Sequence, residues 1–248
     1  MRALCDYHVH TTFSDGKNTP EEMVKAAIKK GMAEIGISDH SYVSFDDGYT
    51  IKHEKIADYK AEIARLKEKY KDKIKVLCGI EQDIYSEGRA DGFDYAIGSV
   101  HYVKFGEKYL SVDESEEIFV NAVKDFFGGD YYAFAEEYFN TVAKLVERKD
   151  ITIIGHFDLI SKYNENGRYF DENNGKYVRA WKKAADKLIA AGKTFEINTG
   201  AIARGYKTEP YPSDAIRAYI NSKGGKFILS SDSHSVETLC YHFDKIAD

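Results

Sequence analysis

Near the start of the chain stands Asp6-Tyr7-His8-Val9-His10, preceded by the apolar run Ala3-Leu4-Cys5. The apolar run reads as the beginning of a buried strand. Side chains at i and i+2 of a strand point to the same side, so the imidazoles of His8 and His10 face one point. Two imidazoles at the end of a buried strand suggest a metal site at the mouth of a barrel. Surface pairs and hydrogen-bonded core histidines share this spacing, so the rest of the chain has to decide.

Seven short apolar runs read as strands separated by helical segments. They are Arg2 to His10, Glu34 to His40, Lys75 to Glu81, Tyr95 to His101, Ile151 to His156, Thr194 to Asn198 and Lys226 to His234. Thr19-Pro20-Glu21-Glu22 opens the first helix, with Thr19 as N-cap, Pro20 at N1 and Glu22 closing a capping box. Further helices are expected over Lys55 to Tyr70, Glu114 to Phe127, Tyr131 to Arg148 and Lys176 to Ala191. A last one, introduced by Tyr211-Pro212-Ser213, ends at Gly224. Strands alternating with helices imply a parallel sheet. Seven such units predict a closed or nearly closed α/β barrel, with residues 1–248 as a single domain. An open doubly wound sheet is the competing layout, but no glycine-rich phosphate loop opens any helix.

Composition narrows the function. The 248 residues carry a net charge of −6, against the basic face that broad nucleic-acid binding needs. No run approaches the roughly 18 apolar residues of a membrane span. The first strand begins right after Met1, which argues against a signal peptide. Cys5, Cys78 and Cys240 have no paired spacing and read as small buried hydrophobes in a reducing cytoplasm.

The strand ends carry the chemistry. Six of the seven predicted strands end in His8/His10, His40, Glu81, His101, His156 and Asp232/His234, and Asp15 follows the first. In a β/α barrel that end is where active sites are built. Each residue has an ordinary reading: a core histidine bonded to backbone, a turn aspartate, a rim glutamate paired with lysine. Taken together, those readings need six imidazoles to converge by accident, and converging cation-prone groups cost free energy unless each stays neutral. Metal ions resolve the conflict by binding neutral imidazoles and offsetting the carboxylates. Nine ligands exceed the roughly four that one zinc takes, so two or three ions are implied. Mixed imidazole and carboxylate donors suit zinc, iron or manganese. Neighbouring ions clamping an in-line displacement point to hydrolysis, most naturally of a phosphate ester.

These motifs resemble those of the polymerase and histidinol phosphatase (PHP) family, nearly end to end. The matching stretches are His8-Val-His10-Thr11, Ser14-Asp15-Gly16, Ser38-Asp39-His40, Gly79-Ile-Glu81, Ile97-Gly-Ser-Val-His101, Gly155-His156-Phe-Asp158, Glu196-Ile-Asn198-Thr199 and Ser231-Asp232-Ser-His234. Within the family the chain is most similar to the monofunctional histidinol-phosphate phosphatases of histidine biosynthesis, through Asn198-Thr-Gly-Ala-Ile-Ala-Arg204-Gly-Tyr206 and Pro210-Tyr-Pro-Ser213. The resemblance implies a distorted (β/α)7 barrel with three divalent ions, zinc, iron or manganese. One ion would be held by His8, His10, Glu81 and Asp232. A second would be held by Asp15, His40 and His234, and a third by His101 and His156 with Glu81 bridging. Some relatives have histidine where Asp15 stands. The resemblance also implies in-line attack by a metal-bridging hydroxide on L-histidinol phosphate, in the cytoplasm, with neither nucleic acid nor membrane as partner.

Arginine grips phosphate through its bidentate fork. Arg204, after the sixth strand, is the expected phosphate ligand, and Arg168, after the fifth, is the second candidate. Tyr42 and Phe45 follow His40 and could wall the pocket, or simply pack. His53 and His242 lie off the strand ends and are expected at the surface or on helices. Rival readings are a PHP phosphoesterase for a nucleotide, a DNA 3′ end or phosphotyrosine, an amidohydrolase, and a metal-stabilised binding module. An amidohydrolase would be expected to offer a bridging lysine where Glu81 and His101 stand.

Overall fold

The computed structural model describes residues 4–246. Seven parallel strands follow one another in order around a sheet: β1 (Cys5–Asp6), β2 (Glu34–Ile37), β3 (Lys75–Asp83), β4 (Tyr95–Ser99), β7 (Ile153–Ile154), β8 (Thr194–Asn198) and β9 (Lys226–Ser230). An antiparallel hairpin, β5 (Tyr102–Phe105) and β6 (Lys108–Ser111), follows β4. The sheet curls until its first and last strands meet. Val9 bridges Ser233 in parallel, with His10 N–H donating to Ser233 O at 2.8 Å and Ser233 N–H to His8 O at 3.1 Å. The expected barrel is therefore present, nearly closed.

The first strand differs from its expected extent of Arg2 to His10. Residues 2 and 3 lie outside the described range, and regular pairing covers only Cys5–Asp6. Beyond Asp6 the backbone donors turn to side chains. Val9 N–H donates to Ser38 Oγ at 3.1 Å and Thr11 N–H to Asp39 Oδ1 at 2.6 Å. The buried Asp6 carboxylate accepts from Ser231 N–H at 3.1 Å, Ser231 Oγ at 2.5 Å and Cys240 N–H at 3.1 Å, fastening β1 to the segment after β9.

The helices pack outside the sheet. They are α1 (Pro20–Lys29), α2 (Ile56–Tyr70), α3 (Glu116–Phe127), α4 (Tyr131–Ala143), α5 (Gly175–Ala190), α6 (Gly200–Ala203), α7 (Asp214–Ser222) and α8 (Phe243–Ile246). The capping box of α1 is present: Thr19 Oγ1 accepts from Glu22 N–H, and Glu22 Oε2 accepts from Thr19 N–H. The helix expected over Tyr131 to Arg148 ends at Ala143 and tightens into a 3₁₀ turn, Lys144–Glu147. On α2, Tyr59, Ile63 and Leu66 are fully buried. The Tyr59 hydroxyl lies 2.9 Å from both Ile37 O and Gly79 O, tying the helix to two strands. The Tyr95 ring lies against Gly79, where a Cβ would collide with it.

Candidate metal centre

Every predicted ligand sits at or just past the carboxyl end of a barrel strand. His8 and His10 follow β1, His40 follows β2, and Glu81 lies near the end of β3. His101, His156, Asp232 and His234 follow β4, β7 and β9. Asp15 enters on the Ser14-Asp15-Gly16 turn. Gly16 packs so closely that a Cβ there would lie 2.5 Å from His10 backbone atoms. The buried Asp39 carboxylate accepts from the Ser14 and Thr11 hydroxyls at 2.5 and 2.7 Å, holding the turn to the strand. Asp232 has a left-handed backbone, φ +51°, a conformation that is costly for a non-glycine residue and concentrates at functional sites.

The nine side chains converge, with Glu81 in the middle. Its Oε2 lies 3.2 Å from His8 Nε2, 3.5 Å from His10 Nε2 and 2.8 Å from His40 Nδ1. Its Oε1 lies 3.0 Å from His156 Nε2 and 3.5 Å from His101 Nε2. Asp232 Oδ1 is 3.3 Å from His10 Nε2 and 3.8 Å from His8 Nε2. Asp15 faces His234 Nε2 at 3.3 Å and His40 Nε2 at 3.8 Å. Donor atoms of His8, His10 and Asp232 lie within 4.8 Å of one another, as do those of His10, Asp15, His40 and His234, and those of His40, Glu81 and His101.

The donors fit divalent metal. Tetrahedral ligands at about 2.1 Å from an ion stand about 3.4 Å apart, and many of these separations fall near that value. Buried polar atoms normally find hydrogen-bond partners, yet His8 Nε2, both ring nitrogens of His10 and Glu81 Oε2 make no hydrogen bond. A cation among His8 Nε2, His10 Nε2 and Glu81 Oε2 would satisfy those three.

Electrostatics agrees. Burial would raise the pKa of Glu81, but His40, His8 and His101 overcome it and hold the carboxyl well below the usual range. Burial works the same way on Asp232 and is overcome by Arg204 and His8. Burial, with His234 and His40 nearby, pushes His10 down to about 3 and leaves it neutral, the ligating form.

Outer carboxylates orient two of the rings. Glu196 Oε1 lies 2.8 Å from His8 Nδ1, and Asp83 Oδ2 lies 3.1 Å from His101 Nδ1. Each carboxylate pairs with Nδ1 and leaves Nε2 for a metal, the usual arrangement behind ligating histidines. Neither Glu196 nor Asp83 was expected at the site. The readable signal was an acidic residue inside an otherwise apolar strand, with Asp83 two positions after Glu81.

A cavity of about 330 Å³ opens above the centre, and Arg204 lines it as expected. The Arg204 Nη2 lies 2.9 Å from Asp232 Oδ2, and Nη1 donates to Asp232 O at 3.1 Å. Arg168 is not brought to this cavity. Its Nη1 lies 2.6 Å from Glu116 Oε1, and it lines an adjoining groove beside Tyr206 that shares Glu114 and Lys162 with the cavity. The second cation on the cavity wall is Lys162, whose Nζ donates to Asp113 O at 2.6 Å. It is carried there by the 3₁₀ turn Leu159–Ser161, which the sequence pattern does not announce. Tyr49 and Tyr102 wall the cavity in place of Tyr42 and Phe45. His53 is exposed, and neither it nor His242 lines the cavity.

A model of the PHP domain matches residues 6–200. The chain belongs to the PHP domain family. This PHP chain is 30% identical to a histidinol-phosphatase of Lactococcus lactis, over 92% of this chain and 83% of that protein. A structure of histidinol phosphate phosphatase from the same organism, complexed with zinc, L-histidinol and phosphate, superposes with a TM-score of 0.72 at 27% identity, covering 94% of this chain and 87% of that one. A DNA polymerase/3′-5′ exonuclease of Bacillus subtilis is 35% identical over 94% of this chain, but the match spans only 35% of that larger protein. Among the described residues of the PHP chain, no helix is long and apolar enough to cross a membrane.

Proposed function

We propose that the chain is a metal-dependent phosphomonoester hydrolase whose substrate is L-histidinol phosphate, working in the cytoplasm. The observation that carries this reading is the convergence of nine imidazole and carboxylate side chains, Glu81 among them at the centre, beneath a cavity bearing Arg204 and Lys162. The relative solved with zinc, L-histidinol and phosphate supports the choice of substrate.

In this reading His8, His10, Glu81 and Asp232 would hold one divalent ion. Asp15, His40 and His234 would hold a second, and His101, His156 and Glu81 a third; zinc, iron and manganese all suit the donors. Bound ions supply an activated water and neutralise charge on phosphoryl oxygens. Arg204 stands beside Asp232 at the cavity edge, its fork within reach of a phosphoryl oxygen above the centre. Lys162, with 11% of its side chain exposed, offers a second positive charge on the cavity lining. The buried His8–Glu196 and His101–Asp83 pairs keep the rings fixed, so little rearrangement accompanies the displacement.

The likeness to a polymerase-associated exonuclease raises a DNA 3′ end as the alternative substrate. The wall bearing Asp46, Asp113 and Glu114 opposes a polyanion. Release of inorganic phosphate from L-histidinol phosphate by metal-loaded protein, measured beside aryl phosphate and a 3′-phosphorylated oligonucleotide, tests the reading. A kcat/KM that favours the oligonucleotide would replace it.

A further inference from the structure

The lining of the cavity above the metal centre carries both signs: Arg204 and Lys162 beside the candidate ligands, and Asp46 and Glu114 as well. The two cations of the lining and Arg168 of the adjoining groove are engaged elsewhere: Lys162 with Asp113, Arg204 with Asp232 and Arg168 with Glu116. Among the described residues, Asp46 and Glu114 are left without a cation. Asp46 is held in place, since its Oδ2 accepts from the Tyr102 hydroxyl at 2.7 Å, which leaves Oδ1 to a ligand.

The same two carboxylates also line a second cavity, of about 310 Å³, so the space runs on past them. Its aromatic wall is ordered: Phe45 stacks on Tyr109 with ring centroids 3.8 Å apart and meets Tyr102 edge-on at 4.9 Å. Carboxylates beside aromatic faces recognise organic cations, by charge-assisted hydrogen bonds and by cation–π attraction.

We propose that Asp46 and Glu114 set substrate choice by holding the positively charged group of an amine-bearing phosphomonoester, whose phosphate lies between the metal centre and the Arg204–Lys162 edge. This rests on the reading of the cavity as a phosphomonoesterase site. It makes the enzyme selective for zwitterionic esters over neutral or anionic ones. Tyr102 acts as a positioning residue for Asp46.

The test uses the metal-loaded full chain and a selectivity ratio. The ratio divides kcat/KM for L-histidinol phosphate or phosphoethanolamine by kcat/KM for 4-nitrophenyl phosphate or glycerol 2-phosphate. Asp46→Asn and Glu114→Gln should each lower it by about tenfold, the scale of one charge-assisted hydrogen bond. The loss should appear mainly in KM, and Asp46→Glu should regain part of it. A ratio that stays within twofold of wild type in both variants overturns the proposal. Wild-type protein that cleaves aryl phosphate with no preference for amine-bearing esters overturns it too, while leaving the phosphatase reading intact. Wild-type protein that cleaves no monoester when loaded with zinc, iron or manganese overturns both.

Discussion

Oε1 of Glu196 lies 2.8 Å from Nδ1 of His8, and both side chains are wholly buried. Oε2 of the same carboxylate accepts from the backbone N–H of His156 at 3.2 Å. One glutamate on β8 thus sets one ligand ring and the backbone of another.

Glu196→Gln keeps the shape and removes the charge. The chain should still fold, and metal affinity should fall roughly ten- to a hundredfold, as for other partners behind ligating histidines. Metal content after dialysis against a graded chelator reads this directly. Full retention of metal, equal to wild type, would assign Glu196 a packing role only.

Arg204 and Arg168 should part company. Arg204→Ala is expected to lower kcat/KM for a phosphomonoester roughly ten- to a hundredfold, the worth of a charge-assisted bidentate contact. Bound metal should be retained. Arg168→Ala should change kcat/KM less than twofold, because its guanidinium is committed to Glu116 in another groove. Equal losses in the two variants would mean that the grooves work as one site.

Metal loading should expel protons. In the metal-free centre burial opposes charging of His101, but Glu81 and Asp83 push it up to about 10. Burial likewise opposes charging of His8, and Glu196 with Glu81 raises it well above the ordinary imidazole range. A raised imidazole pKa means a proton held at neutral pH, and a ligand must be neutral, so affinity falls as pH falls. Because the two rings serve different ions, the apparent affinity for each of those ions should rise about tenfold per pH unit near neutrality. Calorimetric titration in buffers of different ionisation enthalpy counts the protons, and a count of zero would contradict this electrostatic picture.

Asp6→Ala should weaken the barrel seam. It strips the acceptor from the buried N–H of Ser231, at about 1–3 kcal/mol for a buried donor left unmatched, and from the part-buried N–H of Cys240, at less. A total loss of about 2–4 kcal/mol is expected in urea unfolding of metal-free protein. Stability within 0.5 kcal/mol of wild type would show that the seam is held by other contacts.

The parts that were legible from sequence were those written in local periodicity. Paired residues two apart, such as His8/His10 and Asp232/His234, announced both a strand and its tip, and the Thr19 capping box announced α1. What stayed hidden depends on chain segments meeting in space. The register of β1 breaks because Ser38 and Asp39 side chains take donors that a ladder would use. Lys162 reaches the cavity, and Arg168 does not, because short 3₁₀ turns set their directions. The β5–β6 hairpin is not legible, because Tyr102 to Ser111 shows no clean alternation and only Gly106, at φ +58°, marks its turn. Its apolar content is too slight to stand out between two stronger runs.

The meeting of Val9 with Ser233 joins residues more than two hundred positions apart. Asp232 and His234, translated more than two hundred residues after His8 and His10, complete the constellation those two begin. Under the proposed reading, the nascent polypeptide would stay catalytically silent until position 234 has left the ribosome, and a premature stop upstream of position 232 would yield a product unable to turn over substrate.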